Sequence, residues 1–244
     1  MFTKSKKGYY FWDEFSKMDG LVHGFSTRHF GSIKNRDRIN EKNLKKFLNV
    51  LGVGRRGVVF PKQVHGSNIL VVNDVQKGEI VNADGLITQR KNIFLGVVTA
   101  DCLPVIFYDP KSGAIGIAHA GYKGILKGIL KEMVKKFKKL RSYAEDILVA
   151  IGPSIGVCCY DVSLERVKMF EDKFKRIKTY EKRDGKYFLD LKNIAKQTLI
   201  SEGLSEKNIE VSDICTKDNV KDFFSFRREG REKFGEFVTV VGMI

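Results

Sequence analysis

A cysteine and a histidine at one end of a predicted β-hairpin are the side chains of this sequence that are best suited to chemistry. Two short apolar runs, Leu103–Tyr108 and Ala114–His119, are separated by five residues rich in turn formers, which predicts two antiparallel strands with a tight connection. Pairing the end of the first run with the start of the second places His119 opposite Leu103, one residue from Cys102. The thiol and the imidazole are therefore expected to meet as cross-strand neighbours.

Two kinds of site would use this pair of side chains. A soft thiolate beside an imidazole suits zinc, and a third protein ligand would leave one tetrahedral position for water. Without a metal, Cys102 could instead be a nucleophile with His119 as its general base. A cysteine that only packs in the core is the plainer alternative. The spacing alone leaves these alternatives open.

Spacing does not identify a third ligand. The sequence has four histidines: His23, His29, His65 and His119. His65 comes just before the strand-like run Asn68–Val72, and nothing in its position forces it towards the hairpin. His23 and His29 are expected to be ordinary structural or surface residues.

The other periodic segments predict the elements that would position the hairpin. Apolar residues at helical spacing indicate helices at Asn43–Leu51, Lys123–Leu140, Leu164–Phe174 and Leu191–Glu202, the last with Asp190 as its N-cap. Further short apolar runs predict strands at Val58–Phe60, Asn68–Val72, Phe94–Thr99, Ile147–Ile151, Ile209–Ser212 and Phe237–Val241. The mixture predicts an α+β (mixed α/β) fold, with mixed β-sheets flanked by helices. The first turn of the helix that follows His119 is expected to face the hairpin and to be able to receive an anion.

Length and cysteine usage limit the class of protein. With 244 residues and no linker-like segment, the chain is expected to form a single domain, residues 1–244. No apolar run is long enough to span a membrane, and the amino end lacks the apolar core of a signal peptide. The sequence has four cysteines, Cys102, Cys158, Cys159 and Cys215. They are too few for a disulfide scaffold, which indicates a reducing cytoplasm. The last three of these are expected to serve in packing.

The net charge of +15 could attract nucleic acid, an anionic membrane or a phosphorylated substrate. Many lysines fall on the polar side of the predicted helix Lys123–Leu140, so solvated helix faces explain much of this charge. A nucleic-acid-binding module is supported by the charge alone, because no nucleic-acid-binding motif is recognised. We therefore expect neither nucleic acid nor a membrane as a partner, and the composition indicates no oligomeric state.

Six short motifs occur along the chain in this order: Gln63–Gly66, Ala83–Gly85, Thr99–Val105, His119–Gly124, Ile151–Gly156 and Phe224–Arg228. Together they resemble the YfiH/laccase-domain family, also called the polyphenol oxidase or multicopper-oxidoreductase-like family, from about Gly24 onwards. The resemblance implies a zinc-dependent purine nucleoside phosphorylase that acts on adenosine, inosine, guanosine and methylthioadenosine and also has adenosine deaminase activity. Such an enzyme is both a transferase and a hydrolase, with purine nucleosides and phosphate as its partners.

The resemblance also implies roles for particular residues. Three residues would ligate the metal and serve in catalysis: His65, Cys102 and His119. Three cations within family motifs would contact substrate or phosphate: Arg28, Lys123 and Arg227. Independently of the resemblance, two carboxylates could orient the ligating histidines by accepting their remaining N–H, or could equally serve in turns and at strand ends: Asp84 and Asp101. The implied fold is the one shared with the catalytic domain of cytotoxic necrotizing factor.

The sequence departs from the family pattern at positions that bear on the substrate. Tyr122 and Lys123 stand where the family usually has tryptophan and arginine, and Glu236 stands where it usually has arginine. Lysine keeps the positive charge but lacks the planar guanidinium that grips phosphate with two parallel hydrogen bonds. These changes do not affect the implied metal ligands.

The older family name suggests copper-dependent polyphenol oxidation as an alternative function. A multicopper oxidase needs many histidines for its several coppers, and four are too few. A single site of two histidines and one cysteine could still hold copper, because electron-transfer copper uses that ligand set. We therefore expect zinc as the cofactor and copper as the less favoured one, with a metal-free cysteine hydrolase using Cys102 and His119 as the other alternative.

Overall fold

The computed structural model describes residues 1–35, 38–53, 57–74 and 82–244. In chain order the strands are β1 (Phe2–Lys4), β2 (Tyr10–Trp12), β3 (Leu21–Phe25), β4 (Lys34–Asn35), β5 (Arg38–Ile39), β6 (Val58–Val59), β7 (Ile69–Val71), β8 (Gly85–Thr88), β9 (Phe94–Thr99), β10 (Leu103–Asp109), β11 (Ala114–Ala120), β12 (Leu148–Ile151), β13 (Asp161–Val162), β14 (Tyr180–Arg183), β15 (Lys186–Leu189), β16 (Ile209–Val211) and β17 (Phe237–Met243). The helices are α1 (Asp13–Ser16), α2 (Glu41–Val50), α3 (Tyr122–Lys127), α4 (Ile129–Lys139), α5 (Leu164–Lys173), α6 (Leu191–Ser201) and α7 (Phe226–Glu229). Within the described ranges, no helix is both long enough and apolar enough to cross a lipid bilayer.

Two six-stranded mixed sheets organise the fold. The first has the strand order β1-β2-β3-β17-β9-β6, and the second has the order β16-β12-β10-β11-β8-β7. Most neighbouring strands are antiparallel, but the pairs β6–β9, β12–β16 and β7–β8 are parallel. Strands β13, β15 and β14 form a separate small sheet. This arrangement of mixed sheets with helices confirms the predicted fold class.

The two large sheets pack face to face through a shared apolar core. Val97 of the first sheet lies in one buried cluster with Ile106 and Ile117 of the second. On the far side of the second sheet, Phe137 of α4 is fully buried, and Phe47 of α2 is fully buried on the far side of the first. Because successive side chains of a strand point to opposite faces, the inner strands are apolar on both sides. The hairpin of β10 and β11 is therefore held rigidly in the middle of the molecule.

The hairpin differs from its predicted register by one residue. Both strands extend one residue further than expected, so Pro104, and not Leu103, pairs with His119. Asp109 continues the strand pairing, and its carboxylate closes the shorter turn by accepting the backbone N–H two residues further on at 2.8 Å. The prediction that His119 lies opposite Leu103 is therefore wrong. His119 is instead a diagonal cross-strand neighbour of the Cys102 position, which is still within reach of a side chain.

The predicted helix Lys123–Leu140 is divided into two helices. Gly128 has a left-handed backbone with φ of 87° between α3 and α4, and glycine adopts this conformation without steric strain. The apolar spacing continues through the break, so the sequence pattern does not reveal it. As a result α3 lies beside the end of the hairpin, while α4 packs on the second sheet.

A buried neutral histidine is expected to make the fold sensitive to acid. His23 in β3 is 6% exposed, and its Nε2 accepts the backbone N–H of Trp12 at 2.9 Å. Burial lowers the pKa of His23 to about 4, whereas the pKa of histidine in an unfolded chain is about 6.5. Between these pH values the unfolded state binds more protons, so the free energy of unfolding should fall by about 3 kcal/mol as the pH falls through this window.

The His23→Gln variant tests this expectation, because glutamine can accept the same hydrogen bond and does not titrate. Urea unfolding of both proteins from about pH 7 to about pH 4, a range that spans the two pKa values, gives the free energies. The difference between the wild type and the variant should shift in favour of the variant as the pH falls. Parallel pH curves for the two proteins would contradict the assigned role of His23.

Candidate metal centre

The structure brings His65, Cys102 and His119 together at the end of the hairpin. Their candidate ligand atoms, the cysteine sulfur and one nitrogen of each imidazole, all lie within 4.8 Å of one another. The two imidazole rings meet edge to face, with 4.7 Å between their centroids and 83° between their planes. Cys102 immediately precedes β10, His119 lies in β11, and His65 lies in the loop before β7. The fold brings His65 to the hairpin, a long-range contact that the spacing of residues in the sequence could not predict.

A buried carboxylate holds the loop that carries His65. The backbone of His65 is left-handed, with φ of 56°, a conformation that a residue other than glycine keeps where its surroundings fix it. Asp84 is fully buried, and its Oδ1 accepts the N–H of His65 at 2.9 Å. Its Oδ2 accepts the N–H groups of Gly66 at 2.6 Å and Val64 at 3.2 Å. These three bonds fix the position from which the His65 side chain extends.

The same carboxylate orients His119. Oδ1 of Asp84 lies 2.8 Å from Nδ1 of His119. Burial alone would raise the pKa of Asp84, but the hydrogen bonds from His119 and Gly66 hold this pKa below its usual value. Because an ionised carboxylate only accepts hydrogen bonds, we assign the proton to Nδ1, which leaves Nε2 available to a ligand. A histidine held by a carboxylate in this way is typical of zinc sites.

The thiol and the imidazole of the hairpin influence each other's charge. Burial would raise the pKa of Cys102, but the neighbouring His119 and His65 lower it to about 7. Burial would lower the pKa of His119, but Cys102 and Asp84 raise it to about 9. These opposite shifts favour transfer of the thiol proton to His119 when no metal is bound, and a metal ion would have to displace that proton from Nε2. A thiolate beside an imidazolium also suits a cysteine nucleophile, so His65 is the residue that separates the metal hypothesis from the metal-free one.

A glycine leaves room for the three side chains. A Cβ at Gly121 would lie 2.9 Å from the sulfur of Cys102 and 3.1 Å from Cδ2 of His65, closer than side chains normally pack. One sulfur, two imidazoles and an orienting carboxylate make a donor set that fits a zinc ion, and the same set is used for electron-transfer copper. The side chains present thus fit the metal that the resemblance implies.

The three side chains open into a cavity of about 560 Å³. This volume is in the range of small-molecule sites. Much of its wall is formed by the aromatic side chains of Tyr122, Tyr160, Phe226 and Phe234. The cations Lys34, Arg166 and Arg227 also line it. Glu236, one of the departures from the family pattern, also lines this cavity.

Two arginines lie at the cavity with fixed orientations. Arg227, which the sequence analysis singled out, donates from Nη1 to the carbonyl and the carboxylate of Asp161 at 2.7 and 2.8 Å. Its guanidinium lies 5.0 Å from the centroid of the Tyr160 ring. Arg166, which the sequence analysis did not identify, lies 4.3 Å from the centroid of the Tyr122 ring. Arg166 belongs to no family motif, so only its place on α5 could have suggested it.

The other two expected phosphate contacts lie elsewhere among the described residues. Arg28 donates from Nε to the carbonyl of Phe223 at 2.9 Å, pairs with Glu229, and lies 4.4 Å from the centroid of the Phe224 ring. Lys123 is exposed and lines an adjoining surface depression beside α5, which shares Tyr122 and Arg166 with the described cavity. Neither is among the residues that line the described cavity. The placement of Arg28 therefore gives no support to its expected substrate contact, and the expected contact of Lys123 stays a prediction.

Asp101 differs from its expected role. Its Oδ1 accepts the hydroxyl of Thr216 at 2.7 Å, and its Oδ2 accepts the hydroxyl of Ser225 at 3.0 Å and the N–H of Arg227 at 2.7 Å. The carboxylate thus binds the segment that carries Arg227, and not a histidine as expected. The backbone of Asp101 is left-handed, with φ of 90°, and this turn directs Cys102 towards the histidines. Asp101 positions the cavity wall.

Residues 23–244 match the family described as multi-copper polyphenol oxidoreductase laccase. Because the match covers more than half of the chain, the protein belongs to this family of laccase-like proteins. This assignment confirms the resemblance drawn from the six sequence motifs.

Proteins similar to this chain carry more specific names. It is 30% identical to the purine nucleoside phosphorylase YlmD of Bacillus subtilis, over 91% of this chain and 88% of that protein. It is 28% identical to the adenosine deaminase RL5 of an unknown prokaryotic organism, over 89% of this chain and 92% of that protein. The crystal structure of the Bacillus licheniformis hypothetical protein YfiH has a TM-score of 0.90 and 31% identity, covering 100% of this chain and 99% of that one.

Proposed function

We propose that this protein is a zinc-dependent purine nucleoside phosphorylase that also deaminates adenosine. Its substrates would be adenosine, inosine, guanosine and methylthioadenosine, with phosphate as the second substrate. The observation that carries the proposal is the cluster of His65, Cys102 and His119 at the wall of a cavity large enough for a small molecule. The names of two relatives, a purine nucleoside phosphorylase and an adenosine deaminase, support both activities.

His65, Cys102 and His119 would hold the zinc ion, and Asp84 would keep the proton of His119 on Nδ1. Bound zinc supplies a Lewis acid and lowers the pKa of a bound water, which is the chemistry that deamination of the purine needs. Phosphorolysis has another requirement, because phosphate must be held in line with the glycosidic carbon while the purine departs.

The cavity offers groups for both parts of such a substrate. The faces of Tyr122, Tyr160 and Phe226 are suited to stacking on a purine. The guanidinium groups of Arg166 and Arg227 are planar donors suited to phosphate. In this proposal Arg166 takes the place that Lys123 was expected to fill.

A product analysis tests the proposal directly. The purified, zinc-loaded protein is incubated with adenosine in the presence and absence of phosphate, and inosine, adenine and ribose 1-phosphate are measured. We expect adenine and ribose 1-phosphate only when phosphate is present, and inosine under both conditions. If no product forms from adenosine, inosine, guanosine or methylthioadenosine with zinc bound, the proposal fails.

Copper-dependent phenol oxidation is the second candidate, because the family description names copper and the donor set is compatible with it. Protein produced without added copper separates the two. We expect it to contain zinc and to turn over nucleosides. Activity on phenols that requires added copper, with no nucleoside turnover, would favour the second candidate.

Replacing Arg227 with glutamine is expected to raise the KM for phosphate about tenfold, since a charge-assisted hydrogen bond to phosphate contributes about 1.5 kcal/mol or more. The kcat/KM for deamination should change less, because deamination uses no phosphate. Steady-state kinetics of both reactions measure this split. Lys123→Gln is the matched control and should leave both reactions nearly unchanged; a larger effect of Lys123→Gln would reverse the assignment.

A reducing cytoplasm is part of the proposal, because all four cysteines are free and three of them lie close to one another. In an oxidising compartment such neighbouring thiols tend to form disulfides.

A further inference from the structure

We propose that Cys158, Cys159, Cys215 and Asp218 form a second metal site, a closed zinc site with three thiolates and one carboxylate. Their sulfur atoms and a carboxylate oxygen all lie within 4.8 Å of one another. Zinc bonds of about 2.3 Å to sulfur and about 2.0 Å to oxygen span such a cluster. Tetrahedral sites rich in cysteine are typical of structural zinc. From the sequence these cysteines are expected only to pack, whereas the structure brings their sulfur atoms together.

The four side chains come from two loops that the second sheet brings together. Cys158 and Cys159 follow β12, whereas Cys215 and Asp218 follow β16, its parallel neighbour. Asp218 already bridges the adjacent cysteines, with its Oδ2 at 3.2 Å from the sulfur of Cys158 and its Oδ1 at 2.9 Å from the sulfur of Cys159. The ligands are therefore gathered before an ion binds, which reduces the entropy lost on binding.

Gly156 leaves the space between two of the sulfurs free. A Cβ at this position would lie 3.1 Å from the sulfur of Cys158 and 3.7 Å from the sulfur of Cys215. The N–H of Gly156 also lies 3.3 Å from the sulfur of Cys215 and donates a hydrogen bond to it. Hydrogen bonds of this kind orient a thiolate ligand and stabilise its charge.

Cations beside the cluster would offset its negative charge, because zinc with four anionic ligands leaves a net double negative charge. The buried ammonium of Lys192 donates to the carbonyls of Ser212 at 2.6 Å and Ile214 at 2.8 Å, next to Cys215. The guanidinium of Arg228 donates to the two carbonyls that follow Cys215, at 2.8 and 2.6 Å. Such fixed positive charges stabilise an anionic centre.

The site has an entrance from solvent and a connection to the first cavity. Cys158 and Asp218 are exposed, so an ion can reach the cluster without opening the core. On the inner side, Tyr160 follows Cys159 and lines the first cavity, and the hydroxyl of Thr216 donates to Asp101. A bound ion would therefore fasten together the two loops that form this wall of the cavity.

The test uses the full chain with Cys102→Ser, which removes the sulfur of the first site and leaves the other three cysteines. The protein is purified with reductant, stripped of metal with a chelator, and titrated with Co²⁺ and then with Zn²⁺. We expect one equivalent of cobalt with strong thiolate-to-cobalt charge-transfer absorption, and displacement of this cobalt by one equivalent of zinc. Adding Cys158→Ser or Asp218→Asn should weaken binding by at least about 100-fold, because each removes a proposed ligand and loss of a supporting contact alone costs up to about 100-fold.

Both added substitutions are at exposed positions, so the fold should survive, and circular dichroism verifies this. Asp213→Asn is the matched control: this exposed aspartate lines the same surface depression as Cys158 but is outside the cluster, so cobalt binding should not change. A folded Cys102→Ser protein that binds neither ion overturns the proposal, and so does binding that Cys158→Ser and Asp218→Asn leave unaltered. Fewer than three free thiols in this variant, measured without reductant, would assign the cluster to a disulfide and also overturn the proposal. None of these readouts depends on nucleoside turnover.

Discussion

Replacement of His65 by alanine is expected to lower kcat/KM for adenosine phosphorolysis and deamination by about 1,000-fold, and zinc affinity by at least about 100-fold. The reason is that one of the three proposed metal ligands is lost, and a Lewis acid contributes several kcal/mol to such reactions, with about 1.4 kcal/mol for each tenfold in rate. The side chain of His65 is exposed, and its backbone N–H to Asp84 remains, so the fold should persist. Elemental analysis and steady-state kinetics measure the two effects.

His29→Ala is the matched control, because His29 is also exposed and lies outside the cavity lining. It should keep full zinc content and activity. The pair also tests the metal-free alternative, since a hydrolase that uses only Cys102 and His119 does not need His65. Full activity of the His65→Ala protein after removal of zinc would therefore rule out the metal centre and favour that hydrolase.

Replacement of Asp84 by asparagine is expected to lower zinc affinity by about 10- to 100-fold and the free energy of unfolding by about 2–3 kcal/mol. Asp84 accepts three backbone N–H groups of the loop around His65 and also contacts Nδ1 of His119. Both oxygens of Asp84 accept hydrogen bonds, but the asparagine amide has only one oxygen. Its NH₂ group would therefore face an N–H donor at a fully buried position, which is unfavourable. Zinc titration and urea unfolding measure the two changes.

Asp109→Asn separates loss of the metal centre from loss of stability. Asp109 is equally buried and accepts a backbone N–H at the far end of the hairpin. This variant should lose stability while keeping its zinc affinity. If Asp84→Asn and Asp109→Asn weaken zinc binding to the same degree, the effect of Asp84 is only structural.

Local patterns made much of the fold predictable. β9 has its predicted bounds, and α2, α5 and α6 begin and end within two residues of theirs, since each has a clear apolar period. Asp190 caps α6 as predicted, accepting the N–H of Asn193 at 3.0 Å. The helix break at Gly128 and the shift in the hairpin register were not predictable, because backbone dihedral angles and turn hydrogen bonds do not alter the apolar pattern. The single-domain organisation, residues 1–244, stays a prediction.

Elements without a distinct period could not be predicted. Strands β1 to β3 are short and close to the amino end, and β8 is buried at every residue, so it shows no alternation. Asp84, which orients the candidate ligands, immediately precedes β8 and is brought to His119 by the pairing of β8 with β11. The position of His65 and the cysteine cluster depend in the same way on long-range contacts. Sequence spacing could suggest Cys102 and His119 because both lie on one hairpin.

The central place of β17 in the first sheet has a consequence for how the protein is made. This strand lies between β3 and β9, so both of its neighbours are translated long before it. The second-sheet strands β7, β8, β10, β11 and β12 can pair through nearby residues as they leave the ribosome. By contrast, β3 and β9 must wait with the backbone N–H and C=O groups that β17 will pair still uncovered. Pairing between distant segments is slow. We therefore expect the nascent chain to form the end that holds Cys102 and His119 early, and to depend on chaperones until β17 is inserted.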